Sequence, residues 1–415
     1  SKASLEHYLK VCGKQFSKLL SSQQVQAEAD RVWCGVERCL FGNGKELHFK
    51  KLMDFDTIGG KSNKNGARFD LDAMHVNWLG LSLKCYLPKS ENSLSYVWES
   101  LKGKISYCNI KRLMFSSGWR YYAEIVVSGA APTRVSIGTS TMGIDPGVST
   151  IAGVSEDACV LEELAPNAIQ YEKKIQKISQ RMDRSRRISN PNKYNEDGTI
   201  NRSNRDPWKY SKNYVKMCRL LKSLYRKKHA YIVDSHRKLC NKLITIARYF
   251  PVEKMHFQAL QKKATETKRQ EKKTEVKQKD GTVKVIRKYK RKKRFGRSIN
   301  RRAPARFLLE LKRKAEAVGG VYAEVDTKEF KASQYNHVTD TYEKIPLSQR
   351  EKEIGNRKVQ RDLYSAFLIR NADLDFKHPD REKCEYEFEY FADMQDQLIL
   401  KMKESGLSMR QCFGF

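Results

Sequence analysis

The sequence lacks any run of about eighteen consecutive apolar residues, the length that a membrane-spanning helix needs. It also lacks an N-terminal segment typical of a secretory signal peptide. We therefore expect no membrane-spanning segment. The first residue is Ser1 and not a methionine, which leaves open whether the native start is included.

The ten cysteines include no CxxC pair. Zinc ribbons and disulfide scaffolds both depend on cysteines at regular short spacings, so the pattern disfavours both classes. We expect reduced thiols, which are typical of a cytosolic protein.

Acidic residues are scarce compared with basic ones. The 415 residues include 48 Asp or Glu and 81 Lys or Arg, a formal net charge of +33. Internal ion pairs cannot neutralise this excess, so we expect a polyanionic partner such as nucleic acid. A basic membrane-surface protein is the alternative, but it would need an amphipathic basic helix or a lipidation signal, and neither is visible.

Changes in residue pattern predict four regions. Residues 1–44 have helical periodicity. Residues 45–140 contain short β-branched or alternating segments such as "ISYCNIKRLMF" and "RVSIG", which predict an antiparallel β-barrel or sandwich. Residues 141–371 mix strands and helices, and residues 372–415 form a helical tail. The chain is therefore expected to be an α/β protein with a helical segment and a β-domain before it.

Within the α/β region, the sequence predicts a strand at 141–155 and long amphipathic helices over 203–250. A short strand at 252–257 follows. A helix begins at Ala303 and leads to the strand "VYAEVD". Residues 330–358 are expected to form a loop, and "QRDLYSAFLIRNA" an amphipathic helix.

Residues 261–302 contain nineteen Lys or Arg and four Asp or Glu, a net charge of +15, without an apolar period. This pattern predicts a flexible basic insertion. Basic residues at its end, and an aromatic–basic pair in the β-region, are candidate nucleic-acid contacts: Arg287, Lys288, Lys290, Arg291, Lys292, Lys293, Arg294, Arg297, Trp119 and Arg120.

Three carboxylates occupy unusual places. Asp145 lies inside the apolar strand "TMGIDPGVSTIAGVS", Glu253 lies just inside another strand, and Asp362 lies in the first turn of a helix. Taken singly, Asp145 could be a turn residue and Asp362 a helix N-terminal acid. If the strands are neighbours and the helix packs beside them, the three acids converge into a site that suits Mg²⁺.

Three segments resemble the RuvC motifs of the TnpB family, the transposon-encoded RNA-guided nucleases related to type V CRISPR effectors. They are "GIDPGVSTIAGVS", "FPVEKMHFQALQKK" and "VQRDLYSAFLIRNA", in this order. The resemblance implies an α/β RNase H-like (RuvC) nuclease domain over 141–371. A helical REC-like segment and a WED-like β-barrel would precede it. It also implies that Asp145, Glu253 and Asp362 are catalytic ligands of two Mg²⁺ ions.

The sequence departs from that family in one place. Family members carry two CxxC pairs before the third motif, whereas this chain has Asn336, Thr339, Ile354 and Arg357 about where the cysteines would be. Zinc is therefore not expected, and the 330–358 segment is expected to be a metal-free loop that guides the substrate strand. His337 is expected to be a surface residue or a nucleic-acid contact.

The resemblance implies an RNA-guided DNA endonuclease that binds a guide RNA and double-stranded target DNA with a displaced single strand. Two alternatives stay open: an RNA-guided repressor with weak or no cleavage, and an RNA-independent structure-specific nuclease. We expect a prokaryotic cytoplasmic protein associated with the nucleoid. The sequence does not define the oligomeric state.

Overall fold

A computed structural model describes residues 1–42, 44, 46–50, 54–261, 269–277, 283–289, 295–346, 348–409 and 411–414. The chain divides into two compact units. Unit 1 comprises Ser1–Pro132 and Lys177–Arg226, and unit 2 comprises Thr133–Gln176 and Lys227–Phe415. Residues 177–226, which the sequence placed inside the nuclease region, thus cluster with the N-terminal part. The boundaries at 44, 140 and 371 stay a prediction.

Unit 1 combines helices with two small antiparallel sheets, whose strand orders are β1-β5-β6 and β2-β3-β4. A capping box between Ser21 and Gln24 fixes the start of its second helix. The segment "RVSIG", predicted as a strand, is not one. The elements are α1 Lys2–Gly13, α2 Ser22–Leu40, β1 Thr57–Gly59, β2 Arg68–Asp70, β3 His75–Trp78, β4 Leu81–Lys84, α3 Glu91–Leu101, β5 Ile105–Phe115 and β6 Gly118–Val127.

The rest of the chain alternates strands and helices, and its first two helices run through both units. In order, the elements are β7 Ser140–Thr141, β8 Gly143–Pro146, β9 Thr150–Val154, β10 Cys159–Glu163, α4 Ala168–Ser189, α5 Lys212–Ile246, β11 Ala247–Glu253, α6 Phe257–Gln261, β12 Arg269–Lys277, β13 Val283–Tyr289, α7 Gly296–Arg302, α8 Pro304–Ala317, β14 Val321–Val325, α9 Thr327–Phe330, β15 Tyr335–Asn336, β16 Thr341–Tyr342, β17 Glu351–Ile354, β18 Arg357–Gln360, α10 Arg361–Arg370 and α11 Arg381–Glu404.

A mixed sheet is the centre of unit 2, with the strand order β10-β9-β8-β11-β14. Strands β8, β11 and β14 are parallel, and β9 and β10 run antiparallel to their neighbours. Strand β7 also pairs with β11. A parallel core with helical crossovers and antiparallel edge strands is an α/β architecture, as the sequence predicted.

Helices cover both faces of this sheet. One face carries α5 and α8, which bury Leu243, Phe307 and Leu311 against Ile144 and other strand residues. On the other face, α10 and α11 pack in a second apolar cluster. Because α10 lies between the sheet and α11, nearly all its residues are buried, and it is not the amphipathic helix that the sequence predicted.

Other expectations need correction. The strand predicted at 141–155 is divided into β8 and β9, which pair antiparallel. The predicted helix over 203–250 forms only from Lys212 to Ile246, and the strand predicted at 252–257 is β11, which spans Ala247–Glu253 and includes Pro251. The 330–358 segment is not a loop, since β15 pairs with β16 and β17 with β18. The basic insertion contains the antiparallel pair β12–β13. The β-branched residues Val283, Val285 and Ile286 favour a strand there.

All ten cysteines are free thiols. None of the helices in the described ranges is both long enough and apolar enough to span a bilayer.

Candidate active site

Strand alternation places two of the predicted acids on the same face of the sheet. Ile144 and Val252 are paired neighbours on β8 and β11, and both belong to the cluster under α5 and α8. Side chains alternate along a strand, so Asp145 and Glu253, the next residues, face the side covered by α10. Strands β8 and β11 are parallel, and each acid comes directly after one of the two paired residues. Asp145 and Glu253 therefore lie at the same end of the sheet.

A glycine lets α10 approach that end. A Cβ atom at Gly143 would lie 2.2 Å from the Ala366 carbonyl oxygen and 2.3 Å from the Arg370 nitrogen, far inside contact distance. Only glycine permits the backbones to pack this closely. Helix α10 and β8 run in opposite directions here, so contact at Gly143 brings the start of α10, with Asp362, beside Asp145.

Burial, with neighbouring carboxylates as a second cause, governs the electrostatics of the two strand acids. Protein atoms surround Asp145 almost completely, although both strand acids keep some contact with solvent. Burial raises the pKa of Asp145 well above its usual value, and the charges of Glu253 and Asp362 raise it further. Burial also raises the pKa of Glu253, which shares a hydrogen bond with Asp145.

Asp362 is engaged differently. Arg361 donates to its Oδ1 atom from Nε (3.0 Å) and Nη2 (2.8 Å), and Arg350 Nη1 donates to Oδ2 (3.1 Å). Arg361 is buried and also donates to the Gln349 carbonyl oxygen (3.1 Å). The sequence pattern predicted no role for either arginine.

The donor set suits a hard divalent cation. Three carboxylates at one end of the sheet offer only oxygen ligands, and a cation would relieve the repulsion that raises the pKa of Asp145. In the described part of the chain, however, no group of three or more His, Cys, Asp or Glu side chains is arranged to hold a metal ion. Asp362 is bound by Arg350 and Arg361 in this arrangement.

A cavity of about 1230 Å³ lies within unit 2 next to Arg350. Four cationic side chains line it, and each also contacts an acid: Lys238, Lys242, Arg302 and Arg350. Tyr231 and Phe413 add aromatic surface. None of the three predicted acids lines the cavity, and Arg350 connects it to Asp362.

The predicted nucleic-acid contacts fall into two groups. The Trp119 ring has Arg112 at 4.4 Å and Lys222 at 4.8 Å, and Arg120 lies 4.6 Å over Phe115. These rings are already stacked on cations of unit 1, and their role in binding nucleic acid stays a prediction.

The second group belongs to the basic insertion. Arg297 is exposed and lies 4.0 Å from Glu172. Arg287 and Lys288 are in β13, but their side chains are not described. Lys290, Arg291, Lys292, Lys293 and Arg294 lie outside the described residues.

The expectation for His337 was wrong. Its side chain is 1% exposed and packs 4.7 Å from the Phe388 ring, inside the cluster that covers α10. Burial lowers the pKa of His337 to about 4. Aromatic side chains of α10 and α11 surround the His337 ring. Because these helices are distant from His337 in the sequence, local sequence patterns do not show these contacts.

Among solved structures, the chain is similar to a protein in the cryo-EM structure of a Cas12f1–sgRNA–target DNA complex. The sequence identity is 12%, the TM-score is 0.50, and the match covers 89% of this chain and 76% of that one. The two chains share a fold. A Cas12f from the cryo-EM structure of a CRISPR–Cas12f ternary complex also matches, with 14% identity, coverage of 92% and 75%, and a TM-score of 0.31. No protein-family model matches the sequence, and no curated protein matches it.

Proposed function

We propose that this protein is an RNA-guided DNA endonuclease of the type V and TnpB kind. Asp145, Glu253 and Asp362 would be the catalytic acids of an RNase H-like (RuvC) site. The observation that supports the proposal most is the meeting of three distant acids at one end of the mixed sheet, within a fold shared with Cas12f1. Because a fold alone does not define an activity, the proposed activity rests on the three acids.

The partners would be a guide RNA and a double-stranded target DNA with a displaced single strand. The net charge of +33 favours two polyanions over one small substrate. The similar Cas12f1 was solved with an sgRNA and target DNA. In such a complex, base pairing reads the target sequence and the protein holds the backbones. The protein would act in the prokaryotic cytoplasm at the nucleoid.

Asp145, Glu253 and Asp362 would hold two Mg²⁺ ions. The bound ions would supply Lewis-acid activation of water and charge for the leaving oxygen. The chain's own groups do the rest. Partial burial of Asp145 and Glu253 limits the contact of these acids with solvent, and Arg361 holds the Asp362 carboxylate in place through Nε and Nη2. Arg350, which is more exposed, lies between Asp362 and the cavity, where a phosphate would pass.

A second candidate function is RNA-guided DNA binding with weak or no cleavage. One observation favours it: Arg350 and Arg361 already neutralise Asp362. If these ion pairs persist in the complex, the third acid is not free to bind a cation. This protein would then occupy DNA without cutting it.

The test has two steps. RNA that copurifies with the expressed protein is sequenced, and its guide portion defines a matched DNA duplex. The complex is then incubated with that duplex and with a mismatched one, each with Mg²⁺ or EDTA. Cleavage of the matched duplex alone, and only with Mg²⁺, is expected. Binding without cleavage would establish the second function, and cleavage that survives removal of RNA would refute both.

A further inference from the structure

Two β-hairpins lie directly before the helix that carries Asp362. Hairpin A is β15 with β16, and hairpin B is β17 with β18. Hairpin B ends at Gln360, and α10 begins at the next residue. The hairpins therefore lie where they can fix the first turn of α10.

Three backbone N–H groups at the start of α10 donate hydrogen bonds to acceptors on hairpin B and α11. The Arg361 N–H donates to the Arg350 carbonyl oxygen (2.8 Å), which extends the hairpin ladder into the helix. The Gln360 side chain accepts from the Leu363 N–H (2.7 Å) as the helix N-cap. The Gln360 N–H donates to Gln395 Oε1 on α11 (2.7 Å).

Two buried polar side chains attach hairpin A. Lys352 Nζ of hairpin B donates to the Tyr335 carbonyl oxygen of hairpin A (2.6 Å). The Tyr364 hydroxyl of α10 accepts from the His337 N–H (3.2 Å) and lies 2.8 Å from His337 Nδ1. Because burial keeps His337 neutral, the hydroxyl can donate its proton to Nδ1. Lys352 also lies 5.3 Å over the Tyr364 ring.

The four positions where the related family carries cysteines have other contacts. Ile354 is fully buried in the cluster around α10. Arg357 forms ion pairs with Asp393 and Asp396 of α11. Asn336 and Thr339 make hydrogen bonds inside hairpin A. The side-chain links through Lys352 and His337 thus connect hairpins that a metal would otherwise have to join.

We propose that Tyr364, His337 and Lys352 are positioning residues that hold the first turn of α10, and thereby the Asp362 carboxylate, without a metal ion in the hairpins. Tyr364 lies two residues after Asp362, about 200° around the helix, so fixing Tyr364 fixes the rotation that aims Asp362. The inference rests on the proposed function for its catalytic consequence. Its structural part, cation affinity at the acids, can be measured without cleavage.

The first experiment compares two equal chemical changes in the full-length protein. Tyr364→Phe removes the hydroxyl that His337 binds, and Tyr335→Phe removes a hydroxyl that donates to Asp340 Oδ1 within hairpin A. The melting temperature is measured while Mg²⁺ is titrated, and the Mg²⁺ dependence of cleavage is measured in parallel. We expect Tyr364→Phe to raise the half-saturating Mg²⁺ concentration about tenfold, and excess Mg²⁺ to restore cleavage. Tyr335→Phe should leave the midpoint unchanged.

A second pair of variants guards against a general folding defect. His337→Asn keeps an acceptor near Nδ1, whereas His337→Leu removes it. The Asn variant should behave as the unmodified protein does, and the Leu variant as Tyr364→Phe does. Equal Mg²⁺ midpoints in all variants, or an equal shift in Tyr335→Phe, would overturn the inference.

Zinc analysis completes the test. Purified protein should contain far less than one zinc per chain, and a zinc-selective chelator should not change its melting temperature. Stoichiometric zinc with a lower melting temperature after chelation would overturn the metal-free hairpins. A Mg²⁺ midpoint that shifts as expected, in a protein that never cleaves guided targets, would refute the proposed function and leave this inference standing. No Mg²⁺-dependent stabilisation in the unmodified protein would overturn both.

Discussion

At the scale of single residues, the acids and the arginines around them determine what the site can do. Asp145 and Glu253 repel each other, and each stays in a buried place that would favour an apolar residue. Such an arrangement lowers stability unless a cation binds, which is typical of functional sites. Arg350 and Arg361, which sequence analysis did not assign, neutralise the third acid.

Replacing one acid tests the site. We expect Asp145→Asn to lower the rate of guided cleavage by at least about a hundredfold, as when a charge-stabilising group is removed. RNA binding should be unchanged. The melting temperature without Mg²⁺ should not fall, because the amide ends the repulsion with Glu253.

Glu324→Gln is the matched control. Glu324 lies on the neighbouring strand β14, is half exposed and pairs with Lys254. This variant should cleave normally. Cleavage by Asp145→Asn at the rate of the control would exclude the assigned site.

A buried histidine makes the stability of unit 2 depend on pH. His236 is 1% exposed and its Nε2 donates to the Arg302 carbonyl oxygen (2.8 Å). Burial lowers its pKa from 6.5 to about 4. Above pH 6.5, His236 is neutral in both the folded and the unfolded chain. As the pH falls from 6.5 towards 4, the unfolded chain binds a proton that the folded chain does not, so the free energy of unfolding decreases.

We therefore expect the free energy of unfolding, measured with urea, to fall between pH 7 and pH 5, with about 1–2 kcal/mol of the fall due to His236. His236→Gln, which keeps a donor for the Arg302 carbonyl oxygen, should show a correspondingly smaller fall. An identical pH dependence in the two proteins would contradict the assignment.

At the scale of elements, the site depends on how closely α10 approaches β8. The contact at Gly143 leaves no room for a Cβ atom, since the Ala366 carbonyl oxygen and the Arg370 nitrogen occupy that space. The same contact sets the distance between Asp145 and Asp362, so packing and catalysis are coupled here.

Gly143→Ala should force the helix away from the strand. We expect a loss of about 1–3 kcal/mol in the free energy of unfolding, the usual cost of overpacking, and a large loss of cleavage. Gly296→Ala is the control, because among the described residues its Cβ would come within 4 Å of Gln261 alone, at 3.8 Å. Melting temperatures and cleavage rates of both variants test this prediction. A Gly143→Ala protein that is as stable and as active as the unmodified protein would show that the approach of α10 does not control the site.

At the scale of the whole molecule, charge governs affinity for the partners. Each phosphate neutralised by Lys or Arg releases a counterion, so affinity falls steeply with salt. The basic insertion holds nearly half of the net charge, +15 of +33.

We expect the affinity for the copurifying RNA to fall at least about 10³-fold between 50 and 200 mM salt. Replacing Arg291, Lys292, Lys293 and Arg294 with Gln should reduce the slope of log K against log salt by about one for every phosphate that the variant no longer neutralises. Binding assays across the salt series measure this. A slope equal to that of the unmodified protein would show that these four residues do not touch nucleic acid.

The sequence by itself determined the net charge, the α/β alternation of unit 2 and the identity of the three acids. Charge is a sum over residues, and strand or helix periodicity is local, so both can be read without coordinates. The strand Val321–Val325 and the helix from Pro304 were predicted close to their observed bounds. The single strand predicted at 141–155 is instead divided into β8 and the antiparallel β9.

Only the tertiary structure decided what surrounds the acids. Arg350 and Arg361 meet Asp362, His337 is buried under Phe388, and Gly143 admits α10 because elements far apart in sequence pack together. The short strands of 335–360 gave no periodic signal, since two to four residues are too few to show one. The burial of a carboxylate and its contacts depend on the whole fold. Its pKa and its ability to bind a cation depend on both, so the sequence identifies the residue but does not define these properties.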